Sequence, residues 1–292
     1  MSGLVTQFTF FAGCLARTPF RDQVRAAAKA GFDSISIWPN IWRHAVRKDG
    51  LTLHDMRAML EDHGLKLTDV DACRDWAPSP NTTAGSAFGP VASRASRHEF
   101  FETCCALGGT TVVAVHLTDA PLDLDRDTAG FASLCDDATA HGLRVALEFV
   151  PFGNIPDVAT AMRIVDGAGR ANGGLVIDLL HHARSGFDNG ALAKVPADRI
   201  YTVQFCDAPA LPVHSLADEA VYHRGWPGEG QLDIRGFLQL LDRIGARASI
   251  GLELYKPEFE HRDADAVARQ LADAARAAFA EAQLSLPSDP HC

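Results

Sequence analysis

The sequence predicts a single parallel (β/α)8 TIM barrel. Three observations carry that reading: eight short apolar runs recur along the chain, helical patterns separate them, and no glycine-rich phosphate loop follows the first run. Strands alternating with helices imply a parallel sheet, because each crossover returns over the sheet, and eight such units close on themselves. The rival, an open doubly wound sheet, usually carries GxGxxG after its first strand. Here that place reads AGCLA, at residues 12–16.

The runs are 6–11 (TQFTFF), 34–38 (SISIW), 67–71 (LTDVD), 111–116 (TVVAVH), 144–149 (RVALEF), 175–178 (LVID), 200–206 (IYTVQFC) and 249–254 (SIGLEL). Each is rich in Val, Ile, Leu, Phe or Thr, which suits a pleated surface. Helical patterns cover 21–30, 53–63, 98–107, 131–141, 157–166, 234–244 and 264–282, and several stop at Gly31, Gly64, Gly142 or Gly245. A glycine there enters the left-handed region cheaply and caps the last turn. The sixth helix is short, with room for about two turns between Gly186 and Pro196. Length alone suggests two domains at about 150 residues each, but barrels run to about 250 residues as one unit. No linker or composition break appears, so residues 1–283 read as one domain and 284–292 (LSLPSDPHC) as a frayed tail. The two longest connections, 72–93 and 207–233, both follow strands and fall on the C-terminal face, where barrel enzymes build their sites. The first of them, with Trp76 and Phe88, reads as a lid.

Composition excludes several classes. The 27 Lys+Arg against 37 Asp+Glu give a net charge of −10, so nucleic acid and anionic membrane surfaces are not expected partners. No run of 18 apolar residues occurs, and the opening MSGLVTQFTFFAGCLARTPF lacks a positive leader region. Seven cysteines without a CxxC pair read as small buried hydrophobes in a reducing, cytoplasmic setting.

Strand parity separates the two faces. In 249–254, Ile250, Leu252 and Leu254 suit the helices, and Ser249, Gly251 and Glu253 point inward. In 144–149, Val145, Leu147 and Phe149 face out, leaving Arg144, Ala146 and Glu148 inside. In 175–178, Val176 and Asp178 face in. In 200–206, Thr202 and Gln204 face in, with Tyr201, Val203 and Phe205 out. In 111–116, Val113 and Val115 are placed outside, and Ala114 and His116 inside. This parity gathers His116, Glu148, Asp178, Gln204 and Glu253 at the C-terminal mouth. Carboxylates crowded in a buried mouth are unfavourable unless they protonate or a cation joins them. Any one of these residues alone reads as a strand-end cap or salt bridge. Glu148, Asp178, Gln204 and Glu253 together, stepping by 30, 26 and 49 residues, read as four oxygen ligands of one divalent metal, Mn²⁺ or Mg²⁺ with Co²⁺ as a third choice.

At these residues the chain resembles the xylose isomerase-like TIM-barrel superfamily, the sugar phosphate isomerase/epimerase group that includes 3-dehydroshikimate dehydratases, inosose dehydratases and ketose 3-epimerases. The resemblance covers nearly the whole chain. It rests on LEFVP at 147–151, DLLH at 178–181, QFCDAP at 204–209, RGWPGEG at 224–230 and LEL at 252–254, in that order. It implies one divalent metal on Glu148, Asp178, Gln204 and Glu253, and substrate contacts by His181 and Arg224. The alternatives for the last two are a supporting hydrogen bond, with His182 adjacent, and a loop salt bridge. Many members carry His at the third ligand place. Gln204 departs from that, looks like the dehydratase-type branch, and lowers the expectation of Zn²⁺.

The chemistry such a site supports is enolisation beside a carbonyl, with the metal stabilising enediolate charge and a carboxylate taking the α-proton. Glu148 and Glu253 are the catalytic candidates, unranked. His116 reads as a polarising or relay group or as a satisfied histidine. Trp38 reads as a stacking platform or as a plug, and Lys256 as a pocket cation or a solvated loop lysine. Asp71 and His44 are weaker candidates. The leading expectation is a metal-dependent sugar isomerase or epimerase acting on a polyol ketone. The alternative is a lyase or dehydratase using the same enolisation. A catalytically idle barrel serving a partner subunit is the reading from another class, and a homodimer is an analogy only. Endonuclease IV-like repair, which needs several metals and a polyanion, conflicts with the charge.

Overall fold

The computed structural model describes residues 3–77, 95–118 and 120–286. Eight parallel strands close into one barrel in chain order: β1 (Val5–Phe10), β2 (Ser34–Ile37), β3 (Lys66–Cys73), β4 (Thr111–Val115), β5 (Arg144–Glu148), β6 (Gly173–Asp178), β7 (Ile200–Phe205) and β8 (Ala248–Leu252). Around them lie α1 (Phe20–Ala30), α2 (Pro39–Arg47), α3 (Leu53–Asp62), α4 (Arg97–Ala106), α5 (Leu124–Thr139), α6 (Val158–Ala168), α7 (Leu179–Arg184), α8 (Asn189–Leu192), α9 (Leu216–Tyr222), α10 (Ile234–Ile244) and α11 (Ala264–Ala282).

Each strand read from the sequence is present, and α10 and α11 have the expected bounds. Local capping explains where helices begin. The Thr52 and Ser96 hydroxyls accept from the amides of Asp55 and Glu99, whose carboxylates return the bond, so α3 and α4 open on capping boxes. Several helices differ from expectation, α9 among them, which forms inside the long connection 207–233. The segment after β2 forms α2, because Pro39 at its first position is already at the helical φ. The fifth helix starts at Leu124 rather than 131, with the Asp123 side chain accepting from the Arg126 amide. The short sixth unit is α7, which follows β6 directly, plus the single turn α8.

The core has two layers. Phe8, Phe10, Ile35, Ile37, Leu147, Phe149, Ile177, Phe205 and Leu252 pack between barrel and helices, each fully buried side chain contributing roughly 1.5–3 kcal/mol. Inside the barrel, Val113, Ala146, Val176 and Tyr201 form a separate apolar plug, and Val115, Leu117 and Val150 form a third cluster. The opposite half of the interior is polar: Thr9 and Ser34 hydroxyls meet at 3.0 Å, and Ser249 and Thr202 at 3.2 Å.

Two parity expectations are corrected here. In β4, Val113 and Val115 face inward, while Val112 and Ala114 join the outer layer. Tyr201 also points inside. The β6–β7 register shifts between Leu175/Ile200 and Val176/Thr202, so Tyr201 is an extra residue, and its ring lies under Arg144, 4.4 Å from the guanidinium carbon. The expected lid falls outside the described residues from 78 to 94, Phe88 included. The expected frayed tail does as well from 287 onward, but Leu284 packs on the core and Leu286 is buried, so the chain is docked up to that point. Among the described residues no helix is long and apolar enough to cross a membrane.

Candidate active site

The C-terminal mouth of the barrel holds an open cavity. One wall is apolar, built from Val115, Leu117 and Val150 with Ala72, Trp38 and Pro39. The other is polar: Asp71, Arg74, Glu148, His181, Arg224, Glu253 and Tyr255. The strands place these groups by parity. Glu148 closes β5 pointing inward, Asp178 closes β6, Gln204 pairs with Gly251 across β7 and β8, and Glu253 follows β8 directly. Asp178 does double duty as the N-cap of α7: its Oδ1 accepts from the His181 amide at 2.9 Å, which brings the His181 ring over the mouth.

The two glutamates sit in different company. Glu253 is saturated: Oε1 accepts from Gln204 Nε2 at 2.9 Å and from the Tyr255 hydroxyl, and Oε2 lies 3.0 Å from an Arg224 nitrogen. Arg224 is only 2% exposed, donates to Asp178 at 2.6 Å, and bonds the carbonyls of Ala220 and Glu253. It therefore bridges Asp178 and Glu253 as a fixed cation. Among the described residues Glu148 has no comparable clamp; His181 Nε2 lies 3.6 Å from it.

Electrostatics follow from burial. It pushes the Glu148 carboxyl well up, and the charges of Asp71, Glu253 and Asp178 push it further. Burial also raises Glu253 to about 8, against the pull of Arg224. Asp178 is buried too, but the Arg224 and His181 charges hold its pKa below the ordinary carboxylate value. Burial lowers His181 to about 4, so it is a neutral imidazole near neutral pH, the form that binds metals. Deeper in the barrel, Asp69 and Asp71 are each raised to about 7, chiefly by burial.

Ligand-capable atoms of Glu148, Asp178 and His181 lie within 4.8 Å of one another, a group able to hold a metal ion. Gln204 Oε1 is buried with no hydrogen-bond partner among the described residues. The structure thus brings together Glu148, Asp178, His181, Gln204, Glu253 and Arg224, and sets Trp38 at the cavity wall. Two expected site residues are elsewhere. His116 points out of the barrel, 3.4 Å from the buried Asp127 of α5 and edge-on to Trp76. Lys256 does not line this cavity but a neighbouring one with Arg17 and Glu260, 4.0 Å from Glu258. His44, on α2, lies 3.5 Å from Asp49 and outside the cavity.

Sequence reasoning missed Tyr255, whose only signal was its place two residues after Glu253. It also missed Asp207 and Gly13. The Asp207 carboxylate accepts from the amides of Gly228 at 2.9 Å and Gly230 and Leu232 at 3.0 Å, folding the 224–230 loop around itself and so placing Arg224. A Cβ at Gly13 would stand 2.3 Å from Tyr255 and 2.5 Å from Trp38, so only glycine lets those rings close over the mouth.

With this geometry in hand, the comparisons are specific. Residues 24–278 match the family described as xylose isomerase-like TIM barrel. The inosose isomerase of Bacillus velezensis is 33% identical over 165 residues, 54% of this chain and 58% of that protein. The 3-dehydroshikimate dehydratase of Pseudomonas aeruginosa is 28% identical over 239 residues, 82% of this chain but 36% of that longer protein. The chain thus spans about a third to just over half the length of these relatives. The solved structure of the IOLI protein with a binding zinc atom superposes with a TM-score of 0.81 at 23% identity, covering 94% of this chain and 99% of that one. That likeness shows the fold.

Proposed function

The chain belongs to the xylose isomerase-like TIM-barrel family, and from that premise we propose that it is an enzyme that enolises a polyhydroxylated, sugar-like ketone and returns the proton at the neighbouring carbon, an isomerase or epimerase. The observation that carries this reading is the contrast between the glutamates: Glu253 is held by three donors, whereas Glu148, at the cavity, accepts no hydrogen bond among the described residues and has His181 Nε2 3.6 Å away. A buried carboxylate of high proton affinity beside an open cavity is a general base.

The donor set fits a divalent cation. Two carboxylates, Glu148 and Asp178, converge with a neutral imidazole, and the buried, unpartnered Gln204 Oε1 adds an oxygen that no protein group satisfies among the described residues. Glu148, Asp178 and His181 would hold the ion, with Gln204 and Glu253 beside it. Such an ion supplies Lewis acidity toward a carbonyl oxygen and its neighbouring hydroxyl. The mixed oxygen and nitrogen set accommodates Mn²⁺, Mg²⁺ or Zn²⁺. The chain's own groups do the rest. The apolar wall of Val115, Leu117 and Val150 receives the C–H face of the substrate, the polar wall its hydroxyls, and Trp38 closes one end. Glu148 takes the proton α to the carbonyl and, protonated, can return it to the adjacent carbon. Arg224 holds Asp178 and Glu253 in place throughout.

A second reading, dehydration of a β-hydroxy ketone, is favoured by the similarity to 3-dehydroshikimate dehydratase, which runs over 82% of this chain against 54% for the inosose isomerase. Both outcomes begin with the same proton abstraction. The test is exchange in D₂O: protein loaded with Mn²⁺, its metal content checked by elemental analysis, is incubated with inosose or 3-dehydroshikimate and followed by NMR. Loss of the α-proton signal is expected with at least one of them. Metal-loaded protein that exchanges neither overturns the enolisation reading.

A further inference from the structure

We infer that Asp71 is a second catalytic residue of this site, an acid that hands the proton on its Oδ1 to a departing β-hydroxyl of the substrate. The inference rests on the enolisation reading and deepens its second outcome, dehydration.

The argument starts from how the carboxyl is held. Asp71 lies inward on β3, only 7% exposed, and lines the same cavity as Glu148 and Glu253. Its Oδ2 accepts from Trp38 Nε1 at 3.1 Å, while its Oδ1 is buried without a hydrogen-bond partner among the described residues. The indole has one proton to give, and it occupies the oxygen away from the free position. The Trp38 ring is itself fixed, packed edge-on to Tyr255 at 5.2 Å and seated against Gly13. Immediately behind, Asp69 points inward as well, with the Thr202 hydroxyl 3.4 Å away. Among the described residues, neither carboxyl is in a salt bridge, in contrast to Asp178 and Glu253; Arg144 acts on Asp69 and Arg224 on Asp71 only as more distant charges, outweighed by burial. Two neighbouring buried carboxyls without a salt-bridge partner favour keeping a proton over carrying two charges. A protonated carboxyl whose Oδ2 already accepts a bond carries its hydrogen on Oδ1, and Asp71 is a lining residue of the substrate cavity.

The step balances. Glu148 takes the α-proton, and the C–H electron pair enters the enolate. That pair then forms the α,β double bond as the C–O bond breaks. The oxygen leaves with the bonding electrons, takes the Asp71 proton, and departs as water. Glu148 then releases its proton to solvent and Asp71 regains one, so the enzyme ends unchanged.

The test separates the acid from the base. Mn²⁺-loaded wild type and Asp71→Asn are compared on 3-dehydroshikimate by two readouts, α-proton exchange in D₂O and formation of the dehydrated product. A third uses an analogue bearing fluoride in place of the β-hydroxyl, since fluoride leaves without a proton. The expected result is exchange by the variant within about threefold of wild type, product formation down by roughly 100-fold, and near wild-type elimination of fluoride. Retained exchange also shows that the variant is folded. Three outcomes overturn the assignment: a variant that dehydrates at the wild-type rate, a folded variant that loses exchange and fluoride elimination together, or a wild type that exchanges but never eliminates water. Wild type that exchanges nothing removes the enolisation reading itself, and this assignment with it.

Discussion

Two corners of the same mouth make opposite use of a glutamate. At the β6–β8 corner, Glu253 accepts from Gln204, Tyr255 and Arg224, and Arg224 ties it to Asp178. At the β5 corner, Glu148 faces an apolar wall with His181 3.6 Å away. The first corner is an ordered network in which each charge has a fixed partner. The second leaves a carboxylate whose proton affinity is raised by burial and by its neighbours. The difference teaches that one residue type at one strand end can be structural or reactive, and that bonding partners rather than parity decide which.

Four measurements can break or sharpen that contrast. The largest effect is expected from Glu148→Gln, which keeps shape and removes the base. Exchange of the substrate α-proton should fall by about 10²–10⁴, with the melting temperature unchanged or raised; a variant that still exchanges would place the base elsewhere. Next is Arg224→Met, which leaves the buried Asp178 and Glu253 without the guanidinium that bridges them. Removing one member of a buried ion network costs roughly 3–5 kcal/mol, to be read by urea unfolding at neutral pH, and a loss under about 1 kcal/mol would show that the corner is not locked.

A smaller and opposite change is expected beneath the site. The Asp69 carboxyl is raised to about 7 in the folded chain by burial, against about 3.9 unfolded. The folded state therefore keeps a proton that the unfolded state gives up, and stability falls as pH rises from about 4 to 7. Asp69→Asn should flatten that slope and stabilise the protein at pH 7.5 by on the order of 1 kcal/mol or more; an unchanged slope would mean that Asp69 does not hold its proton. The smallest effect belongs to Lys256→Ala. Because Lys256 lines the neighbouring cavity, steady-state KM should stay within about twofold, and a larger rise would return this lysine to the site.

The strands and most of their facing were legible in the sequence, because β5, β6 and β8 each carry apolar residues on one face and small or charged ones on the other. β4 was not. Val112, Val113, Ala114 and Val115 are apolar on both faces, so parity had no contrast to work with. The partner that draws His116 outward, Asp127, belongs to a first helical turn that the periodicity placed outside the helix. Tyr201 turned inward through a register shift that leaves no mark in composition. Glu148 and Asp178, the strand-end members of the group able to hold a metal ion, were readable. Arg224 read as a substrate contact, because its burial depends on how Asp207 gathers the amides of residues 228–232, a matter of loop conformation rather than of pattern. His181 entered as a candidate ligand only once Asp178 was seen to cap α7.

The barrel closes by pairing β1 with β8, and the same seam is clasped outside by Arg25 and Lys29 of α1, which reach Asp265 of α11 at 3.1 and 2.7 Å. These partners are separated by about 240 residues of chain. Closing so long a loop costs entropy that is recovered only when the final strand docks, which makes the seam a late event in folding. Glu253 and Tyr255 come from the far side of that seam. A chain with seven strands assembled can thus possess Glu148, Asp178 and Gln204 and still lack the lock on the mouth. Recovery of function after dilution from denaturant would then time the closure of the seam itself, a clock that far-ultraviolet circular dichroism, satisfied by helices formed earlier, would run ahead of.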